Sequence, residues 1–121
     1  MVFPLGVWDK KEVLHFKSGA SGASCVSEEG DISINVDTLD SVLSNKEVSF
    51  IKMDLEGSEY KALCGSAELI RKYKPKLAIS IYHKPEDIWE LPELILSFNP
   101  EYKFYLGHYS IAAAETVLYA L

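Results

Sequence analysis

A chain of 121 residues that is 48% hydrophobic and 25% charged is long enough for one small domain with its own apolar core. Its formal net charge of −6 argues against a nucleic-acid backbone as the main partner, because phosphate contacts need a basic patch. No apolar run approaches the roughly 18 residues of a membrane span, and residues 1–5 are too short and uncharged for a secretory signal. The two cysteines, Cys25 and Cys64, make no disulfide framework, so free thiols and a cytoplasmic setting are expected.

In chain order, residues 2–8 form an apolar run that reads as a strand interrupted by Pro4 and Gly6. Residues 12–16 alternate weakly, and the Ser, Gly and Ala of 18–24 read as a loop. Ile32, Ile34 and Val36 alternate with polar residues, the pattern of a half-buried strand. Residues 38–43 fit one or two helical turns with Asp37 as N-cap. Residues 48–53 read as a buried strand. A helix over 58–73 follows, with Leu63, Ala67 and Ile70 on one face and Lys and Arg in its last turn. Pro75 stops it, and residues 77–82 form a second apolar strand ending beside His83. The next helix, 85–98, turns Ile88, Leu91, Leu94 and Ile95 inward, and Pro92 marks a kink or restart. Residues 102–106 and 116–120 are two final strands that pair as an antiparallel hairpin. The alternation of strand and helix predicts an α/β fold with right-handed crossovers and a mostly parallel sheet. A β-rich segment over 1–45 and an αβ half over 46–121 together make a single domain, 1–121.

The richest stretch is Phe50-Ile51-Lys52-Met53-Asp54-Leu55-Glu56-Gly57-Ser58-Glu59. A buried strand delivers Asp54 to its carboxyl end, a glycine turns the chain, and a helix capped by Gly57 or Ser58 begins. Open α/β sheets build ligand sites at such points. In the bland alternative, Glu56 and Glu59 cap the helix and Asp54 is a solvated strand end. His83, at the end of the next parallel strand, falls on the same rim, where an imidazole serves as a general base near neutral pH. His108 and Tyr109 either line that rim or cap the final hairpin, and His15 reads as structural. No zinc-type spacing of His and Cys occurs, so no metal is assigned, although three carboxylates offer oxygen ligands to Mg²⁺ or Ca²⁺. Cys64 lies on the apolar helix face as a core thiol.

The 50–59 run resembles the signature of FkbM-type methyltransferases, which use S-adenosylmethionine. The similarity continues through Ala62-Leu63, Gly65-Ser66-Ala67, residues 73–79 and His83, and in the expected order through residues 6–9 and 36–40. It implies a Rossmann-like class I methyltransferase sheet that lacks its first βαβ unit, since no Gly-x-Gly turn precedes a helix. By the same resemblance, residue 1 falls near the third strand of seven. Asp9, Asp54 and Glu59 then approach the cofactor, and Asp54, His83 and Glu56 are the catalytic candidates. The implied activity is methyl transfer to a hydroxyl of a sugar or natural product, with a small-molecule or glycan acceptor and no nucleic acid or membrane partner, incomplete in this fragment. The alternatives are a non-catalytic assembly remnant and an unrelated metal-dependent α/β hydrolase. The strand at 48–53, left at the sheet edge without its family neighbours, implies a homodimer.

Overall fold

The computed structural model describes residues 1–17, 25–26, 30–112 and 114–121, so the 18–24 loop lies outside the described residues. In chain order the elements are β1 (Gly6–Val7), β2 (Glu12–Lys17), β3 (Cys25–Val26), β4 (Ile32–Asp37), α1 (Leu39–Val42), β5 (Phe50–Met53), α2 (Glu59–Cys64), α3 (Ala67–Tyr73), β6 (Lys76–Ser80), α4 (Asp87–Phe98), β7 (Phe104–His108) and β8 (Thr116–Ala120). Two sheets form among the described residues, ordered β1-β4-β2-β3 and β5-β6-β8-β7.

Both sheets are mixed, which corrects the expectation of a mostly parallel one. The pairs β1–β4 and β5–β6 are parallel, whereas β2–β3, β2–β4, β6–β8 and β7–β8 are antiparallel. The final hairpin forms as expected, and it explains part of the difference. Its second arm, β8, inserts beside β6, so the hairpin rather than a crossover helix sets the direction of that neighbour.

The core lies on one face of the second sheet. Period-two alternation turns Ile51 and Met53 of β5 inward with Leu77 and Ile79 of β6, where they meet Leu63, Ile70, Leu91 and Ile95 from the helices. Each such Leu or Ile contributes about 1.5–3 kcal/mol by leaving water. Val7, Leu39 and Leu43 bring the amino-terminal segment against this cluster. In the first sheet Val36 is buried, while Ile32 and Ile34 are exposed, because nothing among the described residues covers them.

Three local readings change. The single helix over 58–73 is divided into α2 and α3 at Gly65 and Ser66. A side chain at Gly65 would sit 2.0 Å from the Trp8 carbonyl oxygen, so the glycine admits the backbone that follows β1. The N-cap of α1 is Thr38, whose hydroxyl accepts from Ser41 N–H at 3.0 Å; Asp37 instead accepts from Thr38 N–H. Across Pro92, α4 runs on as one helix with no restart.

Candidate active site

Met53, the last residue of β5, pairs with Ile79 of the parallel strand β6, so the segments leaving both strands emerge on one rim. Asp54 follows β5 directly. The chain then reverses in a turn closed by Ser58 N–H donating to the Leu55 carbonyl at 3.1 Å. Both central residues take left-handed backbone, Glu56 at φ 52° and Gly57 at φ 91°. A turn of this kind needs positive φ at both positions, which glycine adopts freely and glutamate adopts at a cost. It folds Glu56 back towards Asp54 and starts α2 beneath the strand end. Ser58 stands at the N-cap, but its side chain makes no capping bond.

Glu59, in the first turn of α2, is fully buried. One carboxylate oxygen, Oε1, accepts from Leu55 N–H at 2.8 Å and faces His83 Nδ1 at 2.8 Å. That second approach is an ion-pair contact without the alignment of a hydrogen bond, since neither imidazole nitrogen has a hydrogen-bond partner. Glu59 Oε2 is likewise buried and unpartnered. On the other side of the ring, His83 Nε2 lies 3.4 Å from Asp54 Oδ1 and 3.7 Å from Glu56 Oε2. The His83 side chain is 9% exposed, against 44% for Asp54 and 56% for Glu56. A buried imidazole thus stands between a buried carboxylate and two exposed ones.

Tyr82 is a member of this group that the sequence reading passed over. Its ring centroid is 4.1 Å from that of His83, and its hydroxyl points to Asp54 Oδ1 at 3.4 Å. Partial burial, and after it the negative charges of Asp54 and Glu56, hold its phenol above the usual tyrosine value. The signal available was its position beside His83 at the end of an apolar strand. Beyond the rim, Tyr82 and Asp54 continue into an open groove of about 380 Å³ that reaches Lys52, Tyr109 and Tyr119.

The other candidates fall elsewhere. Asp9 pairs with Lys61 of α2 at 2.7 Å, apart from the His83 group, with its Oδ1 buried and unpartnered. His108 faces Thr116 at 2.8 Å across the final hairpin, and His15 faces Ser33 at 3.1 Å across β2 and β4. The Cys64 thiol is free and half-buried, and burial raises it above its ordinary value, which fits a packing role. No helix among the described residues is long and apolar enough to cross a membrane.

The family model of the methyltransferase FkbM domain matches residues 8–106. The chain belongs to that family. A crystal structure of methyltransferase FkbM from Methylobacillus flagellatus KT is similar at 32% identity and a TM-score of 0.80, covering 100% of this chain. The chain spans 28% of the length of that protein. None of the curated proteins matches. The Asp54–Glu59 run and His83 both lie inside the matched residues, so the rim belongs to the FkbM domain itself.

Proposed function

We propose that this FkbM domain contributes the acceptor-side rim of an S-adenosylmethionine-dependent O-methyltransferase, acting on a hydroxyl of a sugar or natural product. The observation that carries the reading is the convergence of His83 Nε2, Asp54 and Glu56 where the parallel pair β5–β6 opens to solvent. The residues present fit the cationic and hydroxyl-bearing side of that cofactor. Asp54 and Glu56 offer acceptor oxygens, and Glu59 Oε2 is a buried acceptor with no partner. When bound, the cofactor supplies an electrophilic methyl carbon. The work left to the protein is to hold an acceptor oxygen in line and to take its proton.

Asp54 and His83 share that second task in this reading. Asp54 is exposed enough to meet an acceptor hydroxyl, and His83 Nε2 stands beside it to receive the proton. Buried Glu59, fixed by Leu55 N–H, stands 2.8 Å from Nδ1 on the other side of the ring. Tyr82 limits how far Asp54 can swing, and Glu56 closes the outer side of the site. Positioning of this kind supplies much of the acceleration of a displacement at carbon.

The test is transfer of a labelled methyl group to a panel of sugar and polyketide alcohols. Asp54→Asn and His83→Gln are expected to lower kcat by roughly 10²–10⁴-fold with KM little changed. Unaltered turnover in both variants would overturn the assignment. No Gly-x-Gly turn of the kind that cradles the cofactor's carboxylate occurs in the sequence. Residues 1–121 alone are therefore expected to bind S-adenosylmethionine more weakly than micromolar in calorimetry.

A further inference from the structure

We infer that Asp54 Oδ1, Glu56 Oε2 and His83 Nε2 form a binding site for a divalent first-row cation of the Mn²⁺ or Zn²⁺ class. The inference stands on their geometry, and it holds whether or not the rim takes part in methyl transfer. One ligand atom from each residue lies within 4.8 Å of the others, with Nε2 at 3.4 Å from Asp54 and 3.7 Å from Glu56. An ion with bonds of about 2.0–2.2 Å spans ligand pairs about 3.0–3.6 Å apart at right or tetrahedral angles. The two shorter separations already match that span or lie close to it. Only small movements of two exposed carboxylates are needed to complete it.

The second observation is His83 itself. Its side chain is nine-tenths buried, Nε2 has no hydrogen-bond partner, and that nitrogen lies 3.4 Å and 3.7 Å from two carboxylates. Ionised carboxylates only accept, and a cation held between them and the imidazole lone pair would satisfy all three groups at once. Among the described residues, neither Asp54 nor Glu56 forms an ion pair with a lysine or arginine. On the far side of the ring, buried Glu59 faces Nδ1 at 2.8 Å and is itself held by Leu55 N–H. A carboxylate behind a histidine is the usual support of a metal-binding imidazole, and Glu59 stands in that place. The exposure of Asp54 and Glu56 leaves the remaining coordination positions to water or a hydroxyl. Two oxygens and an imidazole nitrogen suit Mn²⁺ or Zn²⁺ better than Ca²⁺, which takes six or more oxygens.

The probe is Mn²⁺ titrated into the 121-residue chain, with the free ion followed by electron paramagnetic resonance. Saturable binding of a single ion is expected, weakened at least about tenfold by Asp54→Asn and by Glu56→Gln, and by about 10–100-fold by Glu59→Gln. Glu93→Gln, on the exposed side of α4, should leave it unchanged. In parallel, Zn²⁺ should shift the ring ¹⁵N resonance of His83 in the wild-type chain, a reading that needs no substitution. No saturable Mn²⁺ binding would overturn the site. So would binding indifferent to Asp54→Asn and Glu56→Gln, or a His83 resonance unmoved by Zn²⁺. Because ion binding is read with no acceptor or cofactor present, saturable binding combined with methyl transfer unaltered by Asp54→Asn and His83→Gln leaves this inference standing and removes the proposed function. Transfer without ion binding does the reverse.

Discussion

Gly57 carries a φ of 91°, and a side chain there would come 3.0 Å from Lys84 Cε. The lysine end is flexible, so the backbone sets the cost. Gly57→Ala is expected to lose about 1–2 kcal/mol, read as a lower urea midpoint at constant slope. Glu59→Ala should cost about 1–3 kcal/mol by leaving Leu55 N–H without its acceptor, whereas Glu59→Gln keeps that bond and costs less. These residues also mark how far the site was legible. Asp54, Glu56 and His83 could be placed together because parallel strands deliver their carboxyl ends to one rim. The burial of Glu59 could not be read, since helix position alone does not say which side chain turns under the strand end. Tyr82 escaped for a similar reason: stacking on a neighbouring ring is a rotamer choice made in three dimensions. Asp9 was placed by resemblance alone, and it pairs with Lys61 in the middle of α2.

The elements were legible where a hydrophobic period ran uninterrupted, and less so where two elements meet. The strands at the centre of the second sheet follow the predicted apolar runs, and β8 occupies 116–120 as predicted. The break between α2 and α3 is tertiary in origin, because Trp8 backbone enters at Gly65. Gly65→Ala must displace a carbonyl and is expected to destabilise by more than about 2 kcal/mol, in the range of overpacked cores. Asp40 couples the same regions, its carboxylate accepting from Glu68 N–H at 3.1 Å and Leu69 N–H at 2.8 Å at the start of α3. Asp40→Ala should cost about 0.5–2 kcal/mol and Asp40→Asn much less. At the start of α4, burial raises the Asp87 carboxyl above 3.8, opposed by Lys84 N–H. A folded value above the unfolded one means that its contribution is present below the unfolded value and is lost as pH rises through the folded one. Asp87→Asn is therefore expected to raise the Tm near pH 7, with the gain vanishing below about pH 3.5.

At the scale of the molecule, the order β5-β6-β8-β7 leaves β5 paired on one side only among the described residues, and the amino-terminal strands form a sheet of their own. Ile51 and Met53 of that strand are buried, so it has the character of an interior strand at an edge. Its outer side offers unpaired backbone groups, the feature through which sheets join edge to edge. Phe50, at the start of β5, is 55% exposed and adds apolar surface beside that edge. Pairing of two β5 strands about a twofold axis would be antiparallel and self-complementary, the geometry of an isologous dimer. A four-residue strand supplies few bonds, so the association should be weak and rise with concentration. Light scattering over a concentration series is expected to show a monomer–dimer equilibrium for the 121-residue chain. Phe50→Glu should shift it towards monomer, because it replaces apolar surface beside the edge with a charge while the buried residues of β5 stay in place. A strict monomer at high concentration, or a dimer unchanged by Phe50→Glu, would remove β5 as the contact.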